Sequence, residues 1–271
     1  MNSVTANLAK ILLIALTASS FRPQIHEIRK RSSGEGISLT YILLNLVLAT
    51  EQLAIYTHII IFDYKGGEES IIANPPGFGD WLNWTQFVVT WLGQLTLFVE
   101  VFRFPPPRPL ERTWGLMFYI FFLCISLLPI ILELVTEPPW REHRAYDGWF
   151  GGLFIGGHIL FVSPVVTFLG LLSLFVQLWE TLSRDTLGAL STEGLAWQAV
   201  VFAVVGVSWV FRMGAPSRPG FFSGFMNWLS MVGWAALDNL VFAFVQGLLF
   251  FVAKGRIGSN SIAGEVAPLL E

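Results

Sequence analysis

Seven apolar runs, each near the ~20 residues that a bilayer's hydrocarbon core demands, fill most of this chain. They cover 5–21, 37–62, 81–104, 113–135, 149–178, 194–211 and 222–253. Inside lipid no water satisfies free backbone N–H and C=O groups, so a single run of this length has one way to fold, as a helix. Composition agrees. Of the 271 residues 54% are hydrophobic and 13% charged, with mean hydropathy +0.63, an apolar excess beyond what a soluble domain needs. The expected fold class is all-α: a polytopic membrane protein with seven transmembrane helices. The lone cysteine, Cys124, has no partner for an intrachain disulfide. The net charge of -3 says little about partners, nothing in the chain resembles a basic nucleic-acid surface, and the first run leads into a polar elbow rather than a signal-peptide cleavage site.

That elbow lies in the stretch FRPQIHEIRKRSSGEGISLTYILLN, residues 21–45. Pro23 is expected to stop the first helix, because it has no N–H to donate and crowds the preceding turn. Gln24 is expected to offer its amide to the backbone groups that the break leaves free. Gly34 and Gly36 permit a tight turn back into the membrane. Pro-Gln closing one apolar run, a basic elbow, G-x-S and an Asn nine residues after the Gly occur in that order, and the stretch thereby resembles the PQ-loop family. That family includes sugar transporters of the SWEET type and cystinosin-like exporters of lysosomes and vacuoles. The resemblance implies alternating-access transport of a small polar or amphipathic metabolite across an endomembrane, vacuole, lysosome or ER, with Pro23 and Gln24 as a hinge.

A single offset of 153 residues exposes an internal repeat. It carries Gln24 onto Gln177, Glu27 onto Glu180, Arg31 onto Arg184, Ser38 onto Ser191 and Asn45 onto Gln198, then Trp81 onto Trp234 and Phe98 onto Phe251. The expected organisation is a first three-helix repeat at 1–104, a linker helix with its loops at 105–148, a degenerate second repeat at 149–253 and a cytosolic tail at 254–271. An odd linker makes the two triples parallel, a plan that puts a transport site near the midplane between them. The second motif has Val176 in place of the proline, while Pro164 falls within the fifth run against Ile11 of the first, so a helix hinge is expected in one half only.

Lys and Arg set the orientation. The elbow side holds Arg22, Arg29, Lys30, Arg31, Arg103, Arg108, Arg112, Arg184, Lys254 and Arg256, against Lys65, Arg141, Arg144, Arg212 and Arg218 on the other. The elbows and the C-terminus are therefore expected in the cytosol. Arg212 and Arg218 argue mildly the other way.

Four amides are candidates to bind substrate: Asn45, Gln86, Gln198 and Asn239. Asn45 shares a helix face with Gln52 and Tyr56, seven and eleven residues on and close to whole turns at ~3.6 residues each. Gln86 and Asn239 are repeat partners in the third helix of each triple, where SWEET-type transporters hold polar binding residues. A bond to a neighbouring helix is the plainer reading of such an amide. Asp238, mid-run in the seventh segment, is the candidate proton-coupling group, since a charge at that depth costs roughly 3 kcal/mol unless compensated. Glu51 lies ~120° round the helix from Asn45 at ~100° per residue, and is protonated, partnered or near a membrane surface. His158 reads as a packed, hydrogen-bonded residue beside glycines. Glu100 and Glu133 are expected to reach headgroups or water.

No metal site and no cofactor are expected. The expected partners are a small-molecule substrate and the lipid bilayer, with a homo-oligomer left open and no nucleic acid. Asn83–Thr85 reads as a glycosylation acceptor that abuts a helix and goes unused. The tail, Glu265–Leu270, resembles an acidic dileucine sorting signal.

A second resemblance is to the seven-helix terpene cyclases of fungal meroterpenoid pathways. It rests on the G-x-x elbow, the Asn nine residues beyond the Gly, and an acid in the second and last helices. It implies a membrane enzyme of secondary metabolism in which Glu51 or Asp238 protonates the substrate to start cyclisation. Eleven Trp and twenty-four Phe would suit a carbocation. The departure is Glu51, fifteen residues after Gly36 where thirteen is expected, a place taken by Ala49.

Overall fold

The computed structural model describes residues 3–62, 72–73, 75–104, 109–136, 149–212 and 233–266. Nine α-helices appear among them: α1 (Ser3–Ser20), α2 (Arg22–Arg31), α3 (Leu39–Phe62), α4 (Phe78–Arg103), α5 (Pro109–Thr136), α6 (Trp149–Gly157), α7 (Ser163–Leu182), α8 (Thr192–Arg212) and α9 (Trp234–Val266). A π-helical turn, His158–Val162, joins α6 to α7. Merged across their junctions, these give seven helices long and apolar enough to cross a membrane, from Val4–Arg31 to Trp234–Gly258. The chain is a multi-pass membrane protein.

The third helix of each triple packs between the other two. α4 lies against α1 and α3, and α9 against α7 and α8. Across the halves α3 meets α7 and α1 meets α8, so the first helix of one triple touches the second of the other. The linker α5 packs on α3, which is thereby enclosed on three sides. Of the most hydrophobic window of α3 89% is buried, against 22% for α5. Leu8, Phe161, Phe175 and Trp179 instead point outward at 60–77% exposure. Lipid tails suit such surfaces as well as protein does, so packing and polar bonds must supply what holds the bundle together.

Pro23 does less than its sequence position suggests. α1 ends at Ser20, yet Phe21 keeps a right-handed helical conformation, Ile25 N donates to Phe21 O at 3.1 Å, and α2 begins at Arg22. The proline sits in a first turn, where a missing N–H costs little, and the helix resumes after one residue instead of stopping. In the other half α7 runs through Val176 without a break, and the irregularity comes earlier. There the π turn precedes Pro164, which crowds the turn before it. The start of the seventh run at 222–233 lies largely outside the described residues.

Candidate functional site

The two elbows grip each other. Gln24 donates its Nε2 to Ala189 O at 2.8 Å and accepts Ser191 N on Oε1 at 2.9 Å. Gln177 does the same in reverse, donating to Gly36 O at 2.8 Å and accepting Ser38 N at 2.9 Å. Gly36 and Ala189 are 153 residues apart, as are Ser38 and Ser191, so each glutamine holds the other's elbow at the equivalent two groups. Gln24 was expected to serve the backbone of its own break and instead serves the opposite elbow; its primary amide, with donors and an acceptor in a plane, suits a turn's exposed C=O and N–H across the interface. The serines have separate work, since Ser38 and Ser191 accept Tyr41 N and Gly194 N on their hydroxyls and cap α3 and α8. Backbone also meets backbone: Ala189 N donates to Glu35 O at 2.6 Å. Gly36 (φ +85) and Gly188 (φ +56) make that approach, and a Cβ on either would stand 2.1 or 2.2 Å from a carbonyl oxygen opposite.

Deeper in the bundle a small pocket of about 10 Å³, room for about one water, is lined by Asn45, Gln52, Thr90, Gln94, Asp238 and Asn239, with apolar walls that include Phe202 and Phe242. Two of the four candidate amides meet here. Asn45 and Asn239 spend their Nδ2 groups on their own helices, on Tyr41 O at 2.9 Å and Ala235 O at 2.7 Å. Asn45 Oδ1 has no partner. The other two amides are buried but do not line the cavity. Gln86 donates to Thr17 Oγ1 at 2.8 Å, and Gln198 Nε2 is unpartnered. Gln94 and Thr90 were not expected at the site, although both lie on the Gln86 face of α4, where a register of four and eight residues would have found them.

Asp238 is buried and accepts the Thr167 hydroxyl of α7, with the Gln52 amide of α3 alongside. Its neighbour Glu51 is fully buried within the protein; both carboxylate oxygens lie within 3.0 Å of His158 Nδ1 on the π turn. Two turns along α3, His58 Nε2 meets Glu133 of α5 at 3.1 Å. The Phe154 ring lies between the two pairs, 4.1 Å from the His158 ring and 4.9 Å from that of His58. Neither glutamate reaches outward as expected: Glu133 pairs with His58, and Glu100 takes Arg29 through Nε and Nη2. A buried carboxylate is tolerable when a cation or several donors face it.

Further along the helices, away from the elbows, lies an aromatic layer. Phe87 stacks on Trp209 at 4.8 Å and on Trp234 at 5.7 Å, while Tyr56 sits 5.2 Å from Phe87 and 6.1 Å from Trp209. Tyr56 and Trp209 are repeat partners, so one ring comes from each half. Asn83 is buried within α4, where glycosylation machinery has no access. Of the tail signal, Glu265 and Val266 end α9, and Pro268 to Leu270 lie outside the described residues.

Residues 5–50 match the family model of the PQ loop repeat, a span that takes in α1, α2, the first elbow and half of α3. No curated protein and no solved structure matches the chain.

Proposed function

We propose that this membrane protein, whose first three-helix unit opens with a PQ-loop repeat, carries a small polar metabolite across its membrane by alternating access between its two triples. The observation that carries the reading is an amide-lined pocket on helices of both halves, set between two different contacts that join those halves. At one end the glutamine clasps hold the elbows together; at the other Tyr56, Phe87, Trp209 and Trp234 form a lid. Each closure joins one half to the other, so rocking the halves opens one and tightens the other. Asn45 and Asn239, with Gln52 and Gln94, hydrogen-bond the solute; Gln86 and Gln198 stand behind them on α4 and α8. Pro23 and the π turn before Pro164 give the first helix of each triple its bend.

Asp238 is the coupling group. It is the acid that lines the cavity, so a proton on it alters the site directly, and Asp238→Asn is expected to abolish accumulation driven by a pH gradient while leaving solute exchange intact. The cyclase alternative has less support from the lining, since amides outnumber aromatic faces around the acid and a carbocation wants the reverse.

The test needs no knowledge of the solute. In a Cys124→Ser background, Asn45→Cys in sealed vesicles is expected to react with a membrane-impermeant maleimide added to either side, and with both at comparable rates. Reaction from neither side, or from one side only under all conditions, would sink alternating access. Counterflow with sugars, amino acids and small organic acids then identifies the solute, and Asn45→Ala or Asn239→Ala should remove it.

A further inference from the structure

We propose that the end of the bundle away from the elbows holds an oxyanion site, built by Arg212 and Lys10 with Asn83 and Tyr56, and that the transported solute bears a carboxylate or phosphate that docks there first. Arg212, the last residue of α8, lays its guanidinium over the Trp209 ring at 4.5 Å. Nη1 makes one long bond, 3.4 Å to Asn83 Oδ1. Nε and Nη2 are fully enclosed and have no partner. Those two nitrogens form the side-on edge of the guanidinium, which takes both oxygens of a carboxylate or phosphate in parallel bonds. This chain shows the same edge on a carboxylate elsewhere: Arg29 gives Nε and Nη2 to one oxygen of Glu100, Oε1, at 2.9 and 2.5 Å. In Arg212 that edge is buried and unpartnered.

The charges around it also call for an anion. Lys10 of α1 lies within electrostatic reach of Arg212 and spends one ammonium proton on Gly79 O at 2.9 Å. Among the described residues the acid acting on Lys10 is Asp80, whose carboxylate is engaged by Gly77 N at 2.9 Å, and no carboxylate acts on Arg212. Tyr56 adds a hydroxyl between Asp80 O and Asn83. Two cations against one carboxylate leave a positive excess in a part-buried place, where an unpaired charge is expensive. The repeat does not require any of this, since the partner positions of Arg212, Lys10 and Asn83 are Ile59, Ser163 and Ala236.

Trp209 links the site to the path. The ring beneath Arg212 is the one that stacks on Phe87 in the aromatic lid, so an anion pulling on the guanidinium acts directly on the closure over the cavity. This role rests on the transport reading; the binding itself does not.

Full-length protein in neutral-lipid nanodiscs, titrated with inorganic phosphate and with acetate against chloride at matched ionic strength, tests it through tryptophan emission and thermal stability. Expected is a saturable change in emission and a stabilisation by phosphate. The apparent affinity should weaken roughly tenfold or more in Arg212→Gln, nearly as much in Arg212→Lys, which keeps the charge but loses the two-pronged edge, and less in Lys10→Gln. Should Arg212→Gln fail to fold, Lys10→Gln and the wild-type titration still decide. Absence of saturation in wild type, or equal responses in wild type and the folded variants, overturns the site. Stabilisation by anionic-lipid nanodiscs with no response to free phosphate would make the ligand a headgroup and overturn the solute assignment. Two-sided labelling of Asn45→Cys together with no anion response would remove this proposal and leave the transport reading standing.

Discussion

The two ends of the bundle are closed by opposite means. At the elbow end the clasp has a counterpart for each part 153 residues away: Gln24 with Gln177, Gly36 O with Ala189 O, Ser38 with Ser191, and the Arg31–Glu27 pair with Arg184–Glu180. At the far end the rings of Tyr56 and Trp209 are paired in that way, but Arg212, Lys10 and Asn83 are not. Along α3 the same holds for Glu51 and His58, whose partner positions are Val204 and Phe211. Symmetric closure lets two halves part by equal motions with no chemistry to choose between them. Selectivity needs particular charges in particular places, and these have collected where the repeat has been abandoned.

The elbow end should break first and most completely. Gly36→Ala and Gly188→Ala each drive a Cβ into a backbone oxygen at a positive φ, where nothing nearby is a flexible side chain that could yield. Both are expected to lose most of their monodisperse protein in size-exclusion chromatography, and to similar extents. A large loss for one alone would mean that the two elbows are not equivalent. Cutting into the asymmetric part should cost somewhat less. Glu51→Leu strands His158 in an apolar wall, and His158→Leu strands Glu51, each at roughly 3–5 kcal/mol if the pair is ionised. The double leucine variant is expected to recover much of that loss in a melting experiment in detergent, because no unpaired group remains. If the double change is as damaging as the sum of the singles, His158 and Glu51 do not act on each other.

Gln24→Ala and Gln177→Ala come next. Each leaves one buried C=O and one N–H of the opposite elbow without a partner, at ~1–3 kcal/mol apiece, so equal decreases in melting temperature are expected. Unequal decreases would show that one clasp carries the closure. In the Asn45→Cys background, either change should also raise labelling from the elbow side, since the clasp shuts that side.

The sequence made this end legible to a degree the other was not. Seven runs, the elbows and the pairing of Gln24 with Gln177 follow from apolar length and one offset, because bilayer thickness and repetition both leave marks on a linear string. What the glutamines bond to did not follow. A break at Pro23 invites a local repair, and only the packing of helix one against the other triple brings Ala189 and Ser191 within reach. Glu51 and His158 lie 107 residues apart on elements with no shared periodicity, so neither residue signals the other. Arg212 was weighed as a surface charge that spoke against the assigned orientation. In the structure its side chain turns inward over Trp209, and an inward charge carries little weight in that comparison.

The smallest effect is expected at the most recognisable residue. Pro23 occupies a first turn, and Ile25 N already bonds Phe21 O across it, so Pro23→Ala restores one backbone donor and removes a ring that strains nothing. Its stability change should stay within ~1 kcal/mol, like that of Val176→Ala at the equivalent position of the unbroken α7. Function should separate the two. A continuous first helix bends less easily at its elbow end, so Pro23→Ala is expected to slow labelling of Asn45→Cys from that side several-fold while leaving the far side unchanged, and Val176→Ala to alter neither. Equal labelling in both variants would mean that the single-residue break is a relic of the turn and that the clasps alone govern opening.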